Sequence, residues 1–145
     1  MTTYFTNSEK QTIKLGKKLS AKFFAGLIVV LNGDLGAGKT AITKGFAKGL
    51  KIKESVTSPT FTIMNEYFSG KLPMYHFDMY RLEDDSEAYE IGLNEYFNKS
   101  DNVKPGVAVI EWAEKIANLI PAKHLTINIT KLGENKRKID VEESL

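Results

Sequence analysis

The stretch LIVVLNGDLGAGKT, residues 27–40, decides the fold. Its first five residues form a continuous apolar run rich in β-branched side chains, which is typical of a strand buried on both faces. Residues 33–40 then match the pattern G-x-x-x-x-G-K-[ST], and a helical pattern continues from about Lys39 to Leu50. A buried strand, a glycine-rich loop and a helix in this order predict a phosphate-binding loop (P-loop) in an α/β fold.

The residue types of this loop suit the phosphates of a nucleotide. Glycines let the backbone curl so that successive amides, roughly from Gly36 to Thr40, point at phosphate oxygens, and the helix N-terminus adds positive potential there. Lys39 would supply a point charge to the β- and γ-phosphates, and the Thr40 hydroxyl would complete the ligand shell of Mg²⁺. The predicted nucleotide-binding residues are Gly33, Asp34, Leu35, Gly36, Ala37, Gly38, Lys39, Thr40 and Ala41.

Two acidic residues at predicted strand ends are candidates for a second metal-binding group. Asp78 ends the run MYHFD, and Glu111 ends the more apolar run VAVIE. Ligands of open α/β sheets bind at the carboxyl ends of the strands, so either acid could face Mg²⁺, directly or through water. A solvated strand-end acid is the alternative reading of each. The sequence leaves the choice of metal ligand open.

Two further residues have both a catalytic and an ordinary interpretation. Thr60 lies in the hydroxyl-rich run TSPT, and nucleotide switches carry such a residue near the γ-phosphate. A proline-containing turn explains the run as well, and its spacing alone favours the turn. Arg81 could stabilise charge on the γ-phosphoryl group, but a surface pair with Glu83 or Asp84 is the favoured interpretation.

The remaining pattern predicts a mixed sheet within one domain, residues 1–145. Strands are expected at residues 3–6, 61–68, 72–80, 107–110 and 125–130, and a last strand should run through Ile139 and Val141. Residues 69–71 would form a hairpin turn, and residues 125–130 would form an antiparallel strand with one solvent-exposed face. Helices are expected from a capping box at Ser8 to about Ala21, and over 84–90 and 113–120. The expected class is an α/β P-loop NTPase fold, with a largely parallel central sheet flanked by helices and with antiparallel hairpins.

Composition excludes several other classes. Apolar residues make up 42% of the chain and charged residues 26%, which fits a globular protein. There is no cysteine, which excludes disulfide scaffolds, thiol nucleophiles and Cys-ligated zinc and suits a reducing cytoplasm. No apolar run approaches the ~20 residues of a membrane span, and MTTYFTNSEK lacks the features of a secretion signal. We therefore expect a cytoplasmic protein that does not bind membranes.

Charge is unevenly distributed along the chain. Residues 1–53 hold ten lysines and two acids, a net charge of +8, and four of these lysines fall on one side of the first predicted helix: Lys10, Lys14, Lys17 and Lys18. This lysine stripe could dock a partner or tRNA, but a solvated helix face is the favoured reading. A second basic cluster at residues 131–138 is explained as well by a solvated hairpin edge as by contacts with nucleic acid.

Three weaker signals each have an ordinary structural explanation. Residues 98–101, NKSD, match a guanine-reading pattern, but they follow no buried strand, so chance is the better explanation. His76 alternates with Asp78 on one strand face; a hydrogen-bonded structural histidine is favoured over a role in the site. Trp112 follows Glu111 directly, and core packing is its default role.

Several segments together resemble one family. They are GDLGAGKT at 33–40, SPTFTIMNEY at 58–67, YHFDMYRL at 75–82, GLNEYF at 92–97 and VIEWAEK at 109–115. In this order, and in a chain of this size, they resemble the TsaE (YjeE) family of bacterial P-loop ATPases of tRNA threonylcarbamoyladenosine (t6A) biosynthesis. The resemblance covers about residues 6–120.

The resemblance implies a Mg²⁺-dependent ATPase that supports the TsaD–TsaB complex in modifying adenosine 37 of tRNA, with any direct tRNA contact left open. It also implies roles for individual residues. Glu111 would be the second metal-binding acid, Asp78 and Arg81 would belong to the catalytic face, and Thr60 would lie near the γ-phosphate. No residue is a clear general base, so we expect slow turnover by the isolated chain and faster turnover with a partner.

Two rival functions remain. A small-molecule or nucleotide kinase would need several arginines to close on the phosphates, and the chain has only Arg81 and Arg137. The other is a nucleotide-dependent binding switch of the GTPase type, in which residues 98–101 would form a guanine-binding site. A preference for GTP over ATP would favour the switch, and a phosphorylated small-molecule product would favour the kinase.

Overall fold

The computed structural model describes residues 1–144, which form one seven-stranded sheet with helices on both faces. The strands in chain order are β1 (Thr2–Thr6), β2 (Ile28–Gly33), β3 (Met64–Tyr67), β4 (Met74–Asp78), β5 (Val107–Glu111), β6 (Leu125–Lys131) and β7 (Arg137–Glu143). The helices are α1 (Glu9–Ser20), α2 (Lys39–Gly49), α3 (Asp85–Glu90) and α4 (Asn94–Phe97), and a 3-10 segment covers Ala113–Leu119.

The sheet order is β1-β7-β6-β2-β5-β4-β3. Its four inner strands β6, β2, β5 and β4 are parallel, while β3, β7 and β1 pair antiparallel at the edges. Every residue of β4 and β5 is buried, as expected for strands covered on both faces. The predicted α/β class, with a largely parallel core and antiparallel hairpins, is confirmed.

Helices α1 and α2 cover one face of the sheet, and they approach each other closely because glycines line their contact. A Cβ built on Gly45 would lie 2.2 Å from the Ile13 carbonyl oxygen, and one on Gly16 would lie 2.4 Å from the Ile42 carbonyl oxygen. The predicted capping box begins α1, because the Ser8 hydroxyl accepts from the Gln11 amide at 3.0 Å. This tight pair fixes α2, whose first residues follow the glycine-rich loop.

Shorter elements cover the opposite face. Side chains from α3, α4 and the 3-10 segment, including Ala88, Phe97 and Ile116, pack there against the alternate residues of the inner strands. No helix within residues 1–144 has both the length and the apolar character needed to cross a membrane.

One local prediction was confirmed only in part, and two were wrong. β6 is antiparallel to β7, as predicted, but it runs parallel to β2, because the chain crosses over from β5 through the 3-10 segment before entering it. The strand expected from Phe61 begins only at Met64, since residues 59–63 form a turn in which the Ile63 amide donates to the Pro59 carbonyl at 2.8 Å. The helix expected over 113–120 is 3-10 and is kinked at Ile116, where φ is −131°.

Candidate functional site

The loop between β2 and α2, residues 33–40, is here called the glycine loop. Gly36 and Gly38 have φ values of 78° and 113°, a left-handed conformation that favours glycine. Gly38 is the N-cap of α2 and has no side chain to satisfy the free amides of the first helical turn. The loop therefore presents backbone N–H groups and the positive end of a helix dipole, a donor set that fits phosphate oxygens.

Lys39 opens α2 and extends over the end of β5. Its Nζ lies 3.5 Å from Oε1 of Glu111 and 5.3 Å from the ring centroid of Trp112. Only 11% of the lysine side chain is exposed. The Lys39 ammonium group is thus held beside the glycine loop by a carboxylate and an aromatic face.

Glu111 ends β5 and is 5% exposed. Its Oε2 lies 2.6 Å from Nε2 of His76, a fully buried residue of β4, while its Oε1 faces Lys39. Burial by itself raises the pKa of the Glu111 carboxyl, but the interactions with His76 and Lys39 outweigh it and hold that pKa below its ordinary value. Glu111 is therefore a carboxylate at neutral pH and can offer oxygen to a cation.

Asp78 lies beside Glu111, because the parallel register of β4 and β5 pairs these two residues. Its Oδ1 accepts from the Tyr80 amide at 3.0 Å, and its Oδ2 accepts from the Thr60 hydroxyl at 3.2 Å. Asp78 is 6% exposed. Both acids thus end neighbouring strands on the face that carries the glycine loop, as the sequence predicts.

Thr60 belongs to the turn before β3 and reaches the site through Asp78. Its hydroxyl also shares a 2.7 Å hydrogen bond with the Ser58 hydroxyl, and the Asp78 amide donates to the Ile63 carbonyl at 2.8 Å. The turn is therefore tied to the end of β4 by one side-chain hydrogen bond and one backbone hydrogen bond. Thr60 thus lies in a proline-containing turn and also lines the cleft, and its role near the γ-phosphate stays a prediction.

Arg81 donates from its guanidinium to the Phe61 carbonyl at 2.8 Å. It does not line the cleft, and within residues 1–144 it forms no ion pair with Glu83 or Asp84, while its role towards the γ-phosphoryl group stays a prediction. The contact with Phe61 ties the turn after β4 to the turn before β3. The sequence could not reveal it because the acceptor is a backbone carbonyl, which every residue carries.

Arg137, at the start of β7, was not predicted as a site residue. Its Nε donates to the Ala37 carbonyl at 2.7 Å, and its Nη1 donates to the Gly133 carbonyl at 3.1 Å. One guanidinium thus links the β6–β7 hairpin to the glycine loop. The sequence suggests a solvated hairpin edge or contacts with nucleic acid here, and it does not reveal this link because the link depends on β6 lying next to β2.

These groups surround one cleft of about 770 Å³, a size within the range of small-molecule sites. Of the predicted residues, those lining it are Asp34, Leu35, Gly36, Gly38, Lys39, Thr40, Ala41, Thr60, Asp78 and Glu111. Gly33, Ala37 and Arg81 do not line it. Trp112 also lines it. The predicted core packing of Trp112 is confirmed in part, because the half-buried side chain packs against the core cluster below the sheet as well as against Tyr80, whose ring lies 5.0 Å away.

Two other predicted features lie outside the cleft. Residues 98–101 follow α4, where the Asn98 amide group donates to the Asn94 carbonyl at 3.1 Å, so the guanine-reading pattern is part of a local turn. The four lysines of the stripe are exposed on α1, and Lys18 Nζ lies 5.6 Å from the Tyr4 ring centroid.

The fold and the site define an α/β protein with a strand–glycine loop–helix unit at the carboxyl edge of parallel strands. The family model described as "Threonylcarbamoyl adenosine biosynthesis protein TsaE" matches residues 6–139. This chain therefore belongs to the TsaE family, which confirms the resemblance.

Curated relatives and a solved structure agree. A Bacillus subtilis "tRNA threonylcarbamoyladenosine biosynthesis protein TsaE" is 46% identical over 134 residues, covering 92% of this chain and 80% of the relative. A Nostoc protein with the same description is 38% identical over 141 residues, covering 97% and 85%. The crystal structure of Bacillus subtilis YdiB superposes with a TM-score of 0.79 at 39% identity, covering 95% of this chain and 82% of YdiB.

Proposed function

We propose that this chain binds Mg²⁺ and ATP in the cleft and hydrolyses ATP in support of the TsaD–TsaB complex that modifies adenosine 37 of tRNA. The observation that carries the proposal is the convergence of the glycine loop, Lys39, Thr40 and two buried strand-end carboxylates on one cleft. Membership of the TsaE family supports the link to t6A biosynthesis.

The donor set fits a magnesium nucleotide. No group of three or more His, Asp or Glu side chains within residues 1–144 could hold a metal by itself, so phosphate oxygens and water would have to supply the other ligands. The Thr40 hydroxyl, with Glu111 or Asp78, would hold Mg²⁺, since this ion prefers oxygen and retains several waters. When bound, it would neutralise charge on the phosphates.

The chain's own residues supply positioning and charge. The free amides of the glycine loop would hold the phosphates, and Lys39 would balance negative charge on the terminal phosphoryl group. Water then adds to the γ-phosphorus as the bond to the bridging oxygen breaks, giving ADP and phosphate. Asp78 or Glu111 could orient this water, but neither is free of other partners, which favours slow turnover until a partner protein completes the site.

The test is repeated threonylcarbamoylation of tRNA by TsaD, TsaB and the threonylcarbamoyl-adenylate synthase. Its arms are no added chain, the intact chain, Lys39→Ala and the matched control Lys48→Ala, an exposed lysine at the other end of α2. We expect the intact chain and Lys48→Ala to sustain turnover and to release phosphate faster with the partners than alone. Equal activity in all four arms would contradict the proposal.

A further inference from the structure

His76 is buried without a full set of partners. It lies in the middle of β4 with no exposed surface, and its Nε2 lies 2.6 Å from Oε2 of Glu111. Its Nδ1 has no hydrogen-bond partner within the described residues. Burial of a polar atom without a partner costs free energy, so an apolar side chain would pack here more favourably unless Nε2 has a task.

The direction of this hydrogen bond follows from the carboxylate. An ionised carboxylate can only accept, so Nε2 of His76 donates to Oε2 of Glu111. Lys39 lies at the other oxygen, Oε1, so the two oxygens of Glu111 face different partners.

The sheet fixes this hydrogen bond firmly. In the parallel pair β4–β5, His76 lies opposite Val109 while Asp78 lies opposite Glu111, so the histidine and the glutamate are diagonal neighbours on one face. Both strands are buried along their whole length. The imidazole therefore has little freedom to move, and the Oε2 atom that it holds has little freedom as well.

We propose that His76 is a positioning residue that fixes the Glu111 carboxylate through Oε2, so that Oε1 is presented to the cleft beside Lys39. The inference rests on the proposed function, in which Glu111 takes part in holding Mg²⁺ with the nucleotide. A hydrogen bond to one oxygen of a ligand carboxylate fixes its plane and leaves the other oxygen in a defined direction. His76 itself touches neither nucleotide nor metal in this role.

A pair of polar variants separates positioning from packing. In His76→Gln the side-chain amide nitrogen can take the place of Nε2 and still donate to Glu111. In His76→Asn the amide nitrogen falls at the place of Nδ1 and cannot reach it. Both variants bury an amide, so any general cost of altering the core is shared, and His76→Leu adds an apolar reference.

The readout is the Mg²⁺ dependence of ATP affinity, measured by calorimetry, together with KM and kcat for phosphate release. For His76→Asn and His76→Leu we expect the Mg²⁺ concentration at half-effect to rise about tenfold or more, with ATP affinity in the absence of Mg²⁺ unchanged. His76→Gln should stay close to the wild type. Thermal unfolding confirms that each variant is folded, and the Gln–Asn comparison remains decisive if His76→Leu does not fold.

Two failures are distinguishable. If the wild-type chain binds ATP with a clear Mg²⁺ dependence and His76→Asn matches it, the positioning role is overturned while the proposed function stands. If ATP affinity of the wild type does not depend on Mg²⁺, the metal part of the proposed function fails and this inference fails with it. Equal loss in His76→Asn and His76→Gln would mean that His76 acts through packing alone.

Discussion

Glu111 and Asp78 end neighbouring strands on one face of the sheet, yet their partners come from different kinds of structure. Glu111 contacts His76 in the buried strand β4 and Lys39 in the first turn of α2. Asp78 accepts from Thr60 in the turn before β3 and from the Tyr80 amide in the turn after β4. One carboxylate is held by packed elements and the other by turns.

This difference indicates how the two sides of the cleft respond to a ligand. Packed strands and helices keep their geometry, which favours a fixed electrostatic site at Glu111. Turns open at lower free-energy cost, so the hydroxyl and amide that hold Asp78 can be exchanged for other partners more easily. We expect the Glu111 side to be nearly the same with and without nucleotide, and the Asp78 side to rearrange.

The largest effect should follow from the Glu111→Gln substitution. It removes the charge that faces Lys39, and we expect phosphate release with the partners present to fall by about 100- to 1000-fold, or about 2.7–4 kcal/mol of transition-state stabilisation. Asp78→Asn should lower phosphate release only about tenfold, because the Asn side chain can still accept one of the two hydrogen bonds. Single-turnover phosphate release measures both effects.

Glu90→Gln, at the exposed end of α3, is the matched control and should leave turnover unchanged. The proposed difference between the two carboxylates is contradicted if Asp78→Asn lowers phosphate release as much as Glu111→Gln does, or more. In that event the metal-binding acid would be the one held by the turns.

The next effect concerns the packing that fixes α2 and hence Lys39. The Gly45→Ala substitution would bring a methyl group to 2.2 Å from the Ile13 carbonyl oxygen and 2.8 Å from the Gly16 Cα, so α1 and α2 would have to separate. We expect the free energy of unfolding to fall by about 3 kcal/mol, measured by urea titration. Gly133→Ala is the control, since a Cβ there meets no atom within 4 Å, and it should change stability little. Equal stability of both variants would show that the helix pair adapts and that the Glu111 side is less rigid than proposed.

How much of this could be predicted from sequence depends on whether the signal is local. The strand–glycine loop–helix unit is contiguous, and its residue types state its chemistry, so residues 27–40 led to the correct fold class. The strand-end positions of Asp78 and Glu111 were also readable, because a buried strand has a clear period and the carboxyl edge of parallel strands gathers such residues.

Contacts between distant segments could not be read in this way. The His76–Glu111 hydrogen bond requires the β4–β5 register, and the Arg137–Ala37 contact joins residues one hundred positions apart. The direction of β6 depends on the crossover that precedes it, while its alternating pattern is the same in parallel and antiparallel pairing. Arg81 bonds to a carbonyl, for which no residue type gives a signal.

The smallest effect tests the electrostatics of the Glu111 side alone. The pKa of Glu111 is lower in the folded chain than its ordinary value of 4.5. A carboxyl of this kind stabilises the fold fully at pH values above its pKa in the unfolded chain. The stabilisation is lost as pH falls through its pKa in the folded chain. We therefore expect the difference in unfolding free energy between the wild type and Glu111→Gln to stay constant down to about pH 5 and then to shift against the wild type as pH falls. Urea titrations of both proteins at several pH values measure it, and the subtraction removes the titration of groups that do not contact residue 111. If burial outweighed His76 and Lys39, the difference would shift in favour of the wild type on acidification, and the carboxylate held by packed elements would not be the stabilised one.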